Sequence, residues 1–287
     1  MDTRESGREF DTDGLVCGRD GLPVRSVGRW SKDKHHFLQR YIHAFTTAMK
    51  DKPQWEGLGF IDLFSGPGMC RVRETDEEID GSPLIALGSP KPFDGFVFAD
   101  KSADCLDAVE QRFRERKAAV MPELVRGDSN SEVDRIAGLM PPRWLHLAFL
   151  DPTGLHIHFD TIARIAEARR VDLIISVMDQ LDLLRNIREY YYPDRSSNLD
   201  SFLCGVDWRS QFDQLPNHTA ATVREWFLGL YRDCLRGVGY AHFGEPRRIS
   251  GPNPYYLLFF ASKHPRGADL WNKTSGKDRY GQKSLYQ

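Results

Sequence analysis

The stretch Phe60-Ile61-Asp62-Leu63-Phe64-Ser65-Gly66-Pro67-Gly68 decides the fold. An apolar run meets a carboxylate and then a Gly-x-Gly turn, where backbone passes close to a ligand because no Cβ stands in the way. A turn of this kind at the carboxyl edge of a parallel sheet is where α/β proteins bind cofactors. Three nucleotide chemistries compete for it. A P-loop requires Gly-Lys-Ser/Thr, which does not follow, and a dinucleotide fingerprint requires a third small residue where Arg71 stands. An acid followed by Gly-x-Gly meets the simpler demand of an S-adenosylmethionine (SAM) site, whose ligand carries no phosphate. Asp62, Phe64, Ser65, Gly66 and Gly68 are the candidate cofactor contacts, although a lone Gly-x-Gly also fits an ordinary tight turn.

Strands and helices alternate on either side of this loop. Apolar runs at 58–64, 96–99, 123–126, 145–150 and 171–177 read as strands. Helical patterns lie between them at 84–87 (opened by Ser82 as cap and Pro83), 102–118, 132–140 and 160–170. Strands so apolar on both faces predict a parallel sheet covered by helices on both sides. An amphipathic helix over 220–235 then gives way to strands at 240–243 and 255–261. Gly251-Pro252-Asn253-Pro254 separates these two strands and predicts a hairpin. The expected fold class is α/β: a Rossmann-like doubly wound sheet of the class I methyltransferase type, mostly parallel, with an antiparallel C-terminal strand.

Ahead of the sheet, Phe37, Leu38, Tyr41, Ile42, Phe45, Ala48 and Met49 recur at helical spacing, with Ser31 and Asp33 available as caps. This predicts an N-terminal helical addition, and residues 1–29 read as a loose arm. The expected division is an arm and helix over 1–54, a methyltransferase-like domain over 55–265 and a basic tail over 266–287. From Ala261 onward six Lys/Arg stand against two Asp/Glu, a balance that reads as a solvated tail.

Composition narrows the function classes. A chain of 287 residues, 40% hydrophobic, builds its core without disulfide or metal staples. The five cysteines (Cys17, Cys70, Cys105, Cys204 and Cys234) form no Cys-x-x-Cys pair and read as reduced thiols. Residues 1–30 lack a signal-like apolar run, and no stretch approaches the ~20 apolar residues of a membrane span. A cytoplasmic location without membrane association is the expectation. A net charge of −2 gives no global pull toward nucleic acid, which stays possible as a partner without being indicated.

Three further strand ends carry acids. Asp100, beside Lys101, can accept both ribose hydroxyls of a cofactor, a bidentate role suited to a carboxylate. It lies 32 residues beyond Gly68, more than the usual ~20. The excess is explained if 70–80, with five acidic residues, is an inserted surface loop. Asp128, with Ser129, stands where the adenine amino group would lie. Asp151, in Leu150-Asp151-Pro152-Thr153-Gly154, is the candidate catalytic group: it can accept an N–H from an amine and aim the lone pair at a methyl group. Helix capping and strand termination are the competing explanations of these acids. Base-modifying amino methyltransferases carry two prolines and an aromatic ring at this place. One proline followed by Thr153 ranks base methylation below methylation of an unspecified acceptor. His156 and His158 lack a further ligand pair, so no metal site is expected. No Gly-x-Ser-x-Gly elbow occurs.

The chain resembles the three-Cys-motif partner (TcmP) proteins. The likeness rests on Gly28-Arg29-Trp30-Ser31 with Lys34, on Phe60–Gly68 with Gly81-Ser82-Pro83-Leu84, on Leu150-Asp151-Pro152-Thr153-Gly154, and on Tyr256-Leu257-Leu258 with Ser262-Lys263-His264. The resemblance implies a SAM methyltransferase-like domain and a companion bearing a three-cysteine, radical-SAM-like motif. Thr153 departs from the aromatic residue expected after Asp-Pro, which leaves the acceptor pocket open. The expected acceptor is a nucleic acid, a peptide or a small-molecule amine. The alternatives are a catalytically silent SAM-binding partner subunit, and a metal-dependent nuclease or hydrolase using Asp62, Asp151 and the histidines.

Overall fold

A computed structural model describes residues 14–178, 182–249, 256–277, 279 and 281. The chain opens with strands β1 (Leu15–Cys17) and β2 (Pro23–Val27), then helix α1 (Ser31–Met49). Next come β3 (Leu58–Asp62), β4 (Met69–Val72), β5 (Glu77–Asp80), α2 (Ser82–Leu87), β6 (Gly95–Asp100), α3 (Ala103–Glu115) and β7 (Glu123–Arg126). The second half continues with α4 (Val133–Leu139), β8 (Leu145–Leu150), α5 (Phe159–Ala168) and β9 (Arg170–Val177). A helical region follows: α6 (Leu184–Asn186) with a π-helical turn over Ile187–Tyr191, α7 (Asn198–Phe202), α8 (Trp208–Asp213) and α9 (Ala220–Gly237). The described elements end with β10 (His242–Phe243), β11 (Arg247–Ile249), β12 (Tyr256–Ser262) and α10 (Pro265–Ser275).

The main sheet runs β10-β12-β9-β8-β3-β6-β7, with β11 also paired to β12. β3, β6, β7, β8 and β9 are parallel, and β12 pairs antiparallel to β9. This is the strand order of a class I methyltransferase sheet. The order reverses between β3 and β8: from β3 the chain moves outward to β6 and β7, and from β8 to β9. The loop after β3 therefore lies at the switch point, where open α/β sheets bind ligands. The expected hairpin pairing is present between β10 and β12, while the Gly251–Pro254 turn lies outside the described residues.

Side chains alternate between two cores, as the period of a strand requires. Ile61, Val97, Ala148 and Leu173 face the α4–α5 and α9 side. Phe60, Phe96, Phe98, Leu147 and Ile174 face α1, α2, α3 and α10. On that second face α1 buries Phe37, Leu38, Tyr41, Ile42 and Phe45. Each such side chain contributes ~1.5–3 kcal/mol of transfer free energy. Ser31 does not cap α1; it is the first helical residue, and the cap position falls on Trp30, whose side chain makes no capping bond. Ser82 likewise lies inside α2, with Gly81 at the cap. Ser102 does cap α3, accepting from Cys105 N at 3.3 Å.

Four other expectations are corrected. Residues 15–27, read as part of a loose arm, form the β1–β2 hairpin. Residues 70–80, read as a surface loop, lie in the β4–β5 hairpin. Together they build a second sheet in the order β1-β2-β4-β5, with β2 parallel to β4. Arg112 of α3, 2% exposed, ties this sheet to the main domain. It donates to both carboxylate oxygens of Asp20 at 2.9 and 3.0 Å, to Pro23 O at 2.9 Å and to Pro67 O at 2.5 Å. The start of the supposed solvated tail is α10, whose Trp271 is fully buried, stacks on Phe260 and donates to Glu245 O at 2.9 Å. Finally, Cys204 and Cys234 are joined in a disulfide, with Cα atoms 6.2 Å apart. Their separation of 30 residues gave no spacing signal.

Candidate functional site

The glycine loop leaves β3 with two residues in the left-handed region: Gly66 at φ +57° and Gly68 at φ +82°. The two glycines do different work. A Cβ on Gly68 would press Val109 Cγ2 at 3.2 Å, so that glycine lets the loop pack on α3. A Cβ on Gly66 would approach only Arg25 Nε, at 3.5 Å, so Gly66 presents bare backbone toward Arg25.

Asp100, at the end of β6, is joined to this loop. One carboxylate oxygen accepts Gly66 N–H at 2.8 Å and the other accepts Ser102 N–H at 2.9 Å. Ser65 N–H reaches Ala99 O at 3.1 Å, so the loop is laced to β6 along its length. The strand ends thus bring Asp100, Ser65 and Gly66 together.

Asp62 is fully buried at the end of β3. One oxygen accepts Phe64 N–H at 3.0 Å, and the other has no hydrogen-bond partner at bonding distance among the described residues. Burial pushes its pKa up to about 7, against opposing pulls from the Ser82 hydroxyl and the Phe64 amide. A buried acceptor left open is costly, which is the signature of a polar group kept for a ligand or an ordered water. Phe64 itself is half-buried and packs on the core beneath the loop.

At the end of β7, Asp128 pairs with Lys101 at 2.8 Å and accepts Asn130 N–H at 2.9 Å. Partial burial opposes ionisation of Asp128, but these two donors hold its pKa below the usual value. Ser129 is buried and donates to Leu63 O at 2.6 Å, so its hydroxyl pins the β7 turn to the glycine loop.

Two residues here carried no separate functional signal. Lys34, 8% exposed on α1, forms an ion pair with Asp151. Its ammonium also lies 5.5 Å from the ring centres of Trp30 and Tyr256, which meet edge-on. The cation paired with Asp151 is therefore flanked by two aromatic rings, and Lys34 entered the sequence reading only as a family marker. The second is Asp182, which follows β9. It accepts Leu155 N–H at 2.8 Å, the Asn186 amide at 2.8 Å and the Tyr191 hydroxyl. These bonds fix the loop beyond Asp151-Pro152-Thr153. A Cβ on Gly154 would stand 2.7 Å from Asp182, so that glycine is required by the closure. His156 contacts Asn198 instead of a metal partner, and among the described residues no group of three or more His, Cys, Asp or Glu could hold a metal ion.

The arrangement fits a cofactor with a diol, a cationic amine and a carboxylate. Asp100 offers two carboxylate oxygens, Asp62 an open buried acceptor, and Arg25 a guanidinium over Gly66.

No protein-family model and no curated relative matches the chain. Solved structures similar to it include protein LPL1258 of Legionella pneumophila, at 13% identity and TM-score 0.47, covering 86% of this chain and 92% of the other. The magnesium protoporphyrin IX methyltransferase ChlM of Synechocystis, solved with bound SAM, is similar at 15% identity and TM-score 0.39, covering 82% and 85%. The Methanococcus jannaschii fibrillarin pre-rRNA processing protein is similar at 10% identity and TM-score 0.41, covering 74% and 69%. At these scores the likeness carries no argument about chemistry, and the fold stands on the strand order itself. Among the described residues no helix is long and apolar enough to cross a membrane. The chain has the class I SAM-methyltransferase fold, with a second small sheet set beside its glycine loop.

Proposed function

We propose that this protein binds SAM at the carboxyl edge of the main sheet and transfers its methyl group to an N–H-bearing acceptor. The observation that carries the reading is the Asp100 carboxylate, bonded to Gly66 N–H at the switch point between β3 and β8. Bound SAM supplies an electrophilic methyl group on a sulfonium. Asp100 accepts the ribose hydroxyls, Asp62 faces the methionine amine, and Arg25 meets the methionine carboxylate. Asp128 and Ser129 border the adenine, with Lys101 holding Asp128 in place. Asp151 receives the acceptor's N–H and so turns the nitrogen lone pair toward the methyl carbon, catalysis coming mainly from positioning. Kinship with the three-Cys-motif partner proteins, a radical-SAM-like companion and a cytoplasmic location belong to the same proposal.

A second reading draws on Lys34. Its ion pair occupies Asp151, which suits a SAM-binding subunit that acts only with a companion. Calorimetric titration with SAM tests the shared cofactor claim. Losing charged hydrogen bonds worth ~2–3 kcal/mol, Asp100→Asn should bind roughly 30- to 150-fold more weakly, with unchanged circular dichroism. Equal affinity in the folded variant would remove Asp100 from the site. Methyl transfer to amine acceptors by the isolated chain separates the enzyme from the silent subunit.

A further inference from the structure

A cavity of about 650 Å³ lies at the opposite edge of the sheet from the glycine loop. Leu145 starts β8, Arg170 and Asp172 start β9, and Ser262 ends the antiparallel β12, so all four mark the amino edge of the parallel strands. The length of β8 separates this cavity from Asp151 by ~20 Å, at about 3.3 Å per strand residue. Nothing in the proposed methyl-transfer site uses it.

Its walls and its rim differ in chemistry. Met49, Trp55, Leu145 and Leu270 provide apolar surface between α1, the sheet and α10. The Trp55 ring is held in place, because its Nε1–H donates to Met49 O at 3.1 Å. Asp172 belongs to the floor; it is 7% exposed and engaged by the Tyr41 hydroxyl and Ser262. Gly267 closes that floor, since a Cβ there would stand 2.5 Å from Ser262 Oγ.

Lys52, Arg170, Arg266 and Lys273 surround the opening, and all four are exposed. Among the described residues none of them is drawn into an ion pair, unlike Arg112, Arg116, Arg126, Arg143, Arg164 and Arg209. The only exposed acid on the cavity wall is Asp269. Four cations, one after α1, one at the start of β9 and two on α10, thus converge around an apolar hollow of small-molecule size. A flat polyanion would satisfy the cations and leave the hollow empty. A neutral hydrophobe would fill the hollow and leave the cations unused.

We infer that this cavity is a second ligand site, for a small amphipathic anion: an aromatic or aliphatic body seated against Trp55 and Leu270, ending in one carboxylate, sulfonate or phosphate at the Lys52–Arg170–Arg266–Lys273 rim. The inference stands independently of SAM binding at the other edge.

Two probes with one body separate its halves. 8-Anilinonaphthalene-1-sulfonate carries the anion, and N-phenyl-1-naphthylamine lacks it. Fluorescence titration of the full chain should show one saturable site that takes the sulfonate at least tenfold more tightly than the neutral probe. Arg266→Glu with Lys273→Glu, both on exposed positions, should erase that preference. Ala48→Phe, which fills the hollow, should abolish binding of both probes with circular dichroism unchanged. The inference is overturned by absence of a saturable site, by equal affinity for the two probes, or by sulfonate binding that the charge reversals leave intact. If Ala48→Phe fails to fold, the charge-reversal pair and the two-probe comparison still decide.

Discussion

Replacing Arg112 with Met tests whether the small sheet is an anchored part of the molecule. The guanidinium is 2% exposed and serves three partners: the Asp20 carboxylate through two bonds, Pro23 O and Pro67 O. Met keeps most of the apolar stem and removes every donor. Asp20 is partly exposed and regains water, so its share is modest; the two carbonyls lose a charged donor in a buried setting. Removing one partner of a buried pair costs ~3–5 kcal/mol, and solvent at Asp20 lowers that to ~3–4 kcal/mol here. Spread over the unfolding entropy of a chain this long, at roughly 2.1 cal/mol/K per residue, the loss lowers Tm by ~5–7 °C. The assay is urea unfolding with calorimetry, alongside Asp20→Asn, which should cost only about 1 kcal/mol. Because the hairpin carries Arg25 to Gly66, SAM affinity should fall in Arg112→Met as well. The pair also gives a pH signature. The Asp20 pKa is lowered in the fold, burial opposing and Arg112 with the Leu22 amide prevailing. Its stabilisation is therefore present above the unfolded carboxylate pKa and disappears as pH falls through the lower folded value. A loss below about 1 kcal/mol, with unchanged acid unfolding, would refute the anchoring argument.

Five further outcomes rest on the same structure. Asp62→Asn should leave stability at neutral pH equal or higher, because a carboxyl raised to about 7 contributes stability below its unfolded pKa of ~3.9 and loses it as pH rises through 7; a steeper pH dependence in the variant contradicts this. If Asp62 meets the cofactor's cationic amine, SAM binding near pH 7 should release a fraction of a proton, read from titrations in buffers of different ionisation enthalpy; no buffer dependence removes Asp62 from that role. Lys34→Met should cost about 2–3 kcal/mol by stranding Asp151, and adding Asp151→Asn should recover at least ~1 kcal/mol in a double-mutant cycle, strict additivity being the contrary result. Trp271→Ala should cost ~3–5 kcal/mol, where a solvated tail would cost nothing measurable; thiol titration of the unreduced, unfolded chain should find Cys17, Cys70 and Cys105 free, with two more thiols after reduction.

The main sheet was legible because its strands are short apolar runs, each followed by a helix. The ranges 123–126 and 145–150 are met to the residue, and the acids at the ends of β3, β6 and β7 fall at one edge because parallel strands all end there. The small sheet was hidden for a physical reason. β1 and β2 are three and five residues long among Gly and Asp, and β2 pairs with β4 across some 45 residues of chain. The acidic strand Glu77-Glu78-Ile79-Asp80 lies at an exposed edge, so nothing in its hydropathy marks it as strand. Helix α10 shows only one large buried side chain, Trp271, on an otherwise polar surface. At the site, Lys34 meets Asp151 across 117 residues, a contact that no local spacing announces. Arg25 reaches Gly66 only because the hairpin exists.

Location tests the central claim most directly. A crystal of the protein grown with S-adenosylhomocysteine, the demethylated product, should show the ribose hydroxyls on Asp100, the amine toward Asp62 and the carboxylate at Arg25. Product bound elsewhere, or no product bound to well-ordered protein at saturating concentration, would contradict the account.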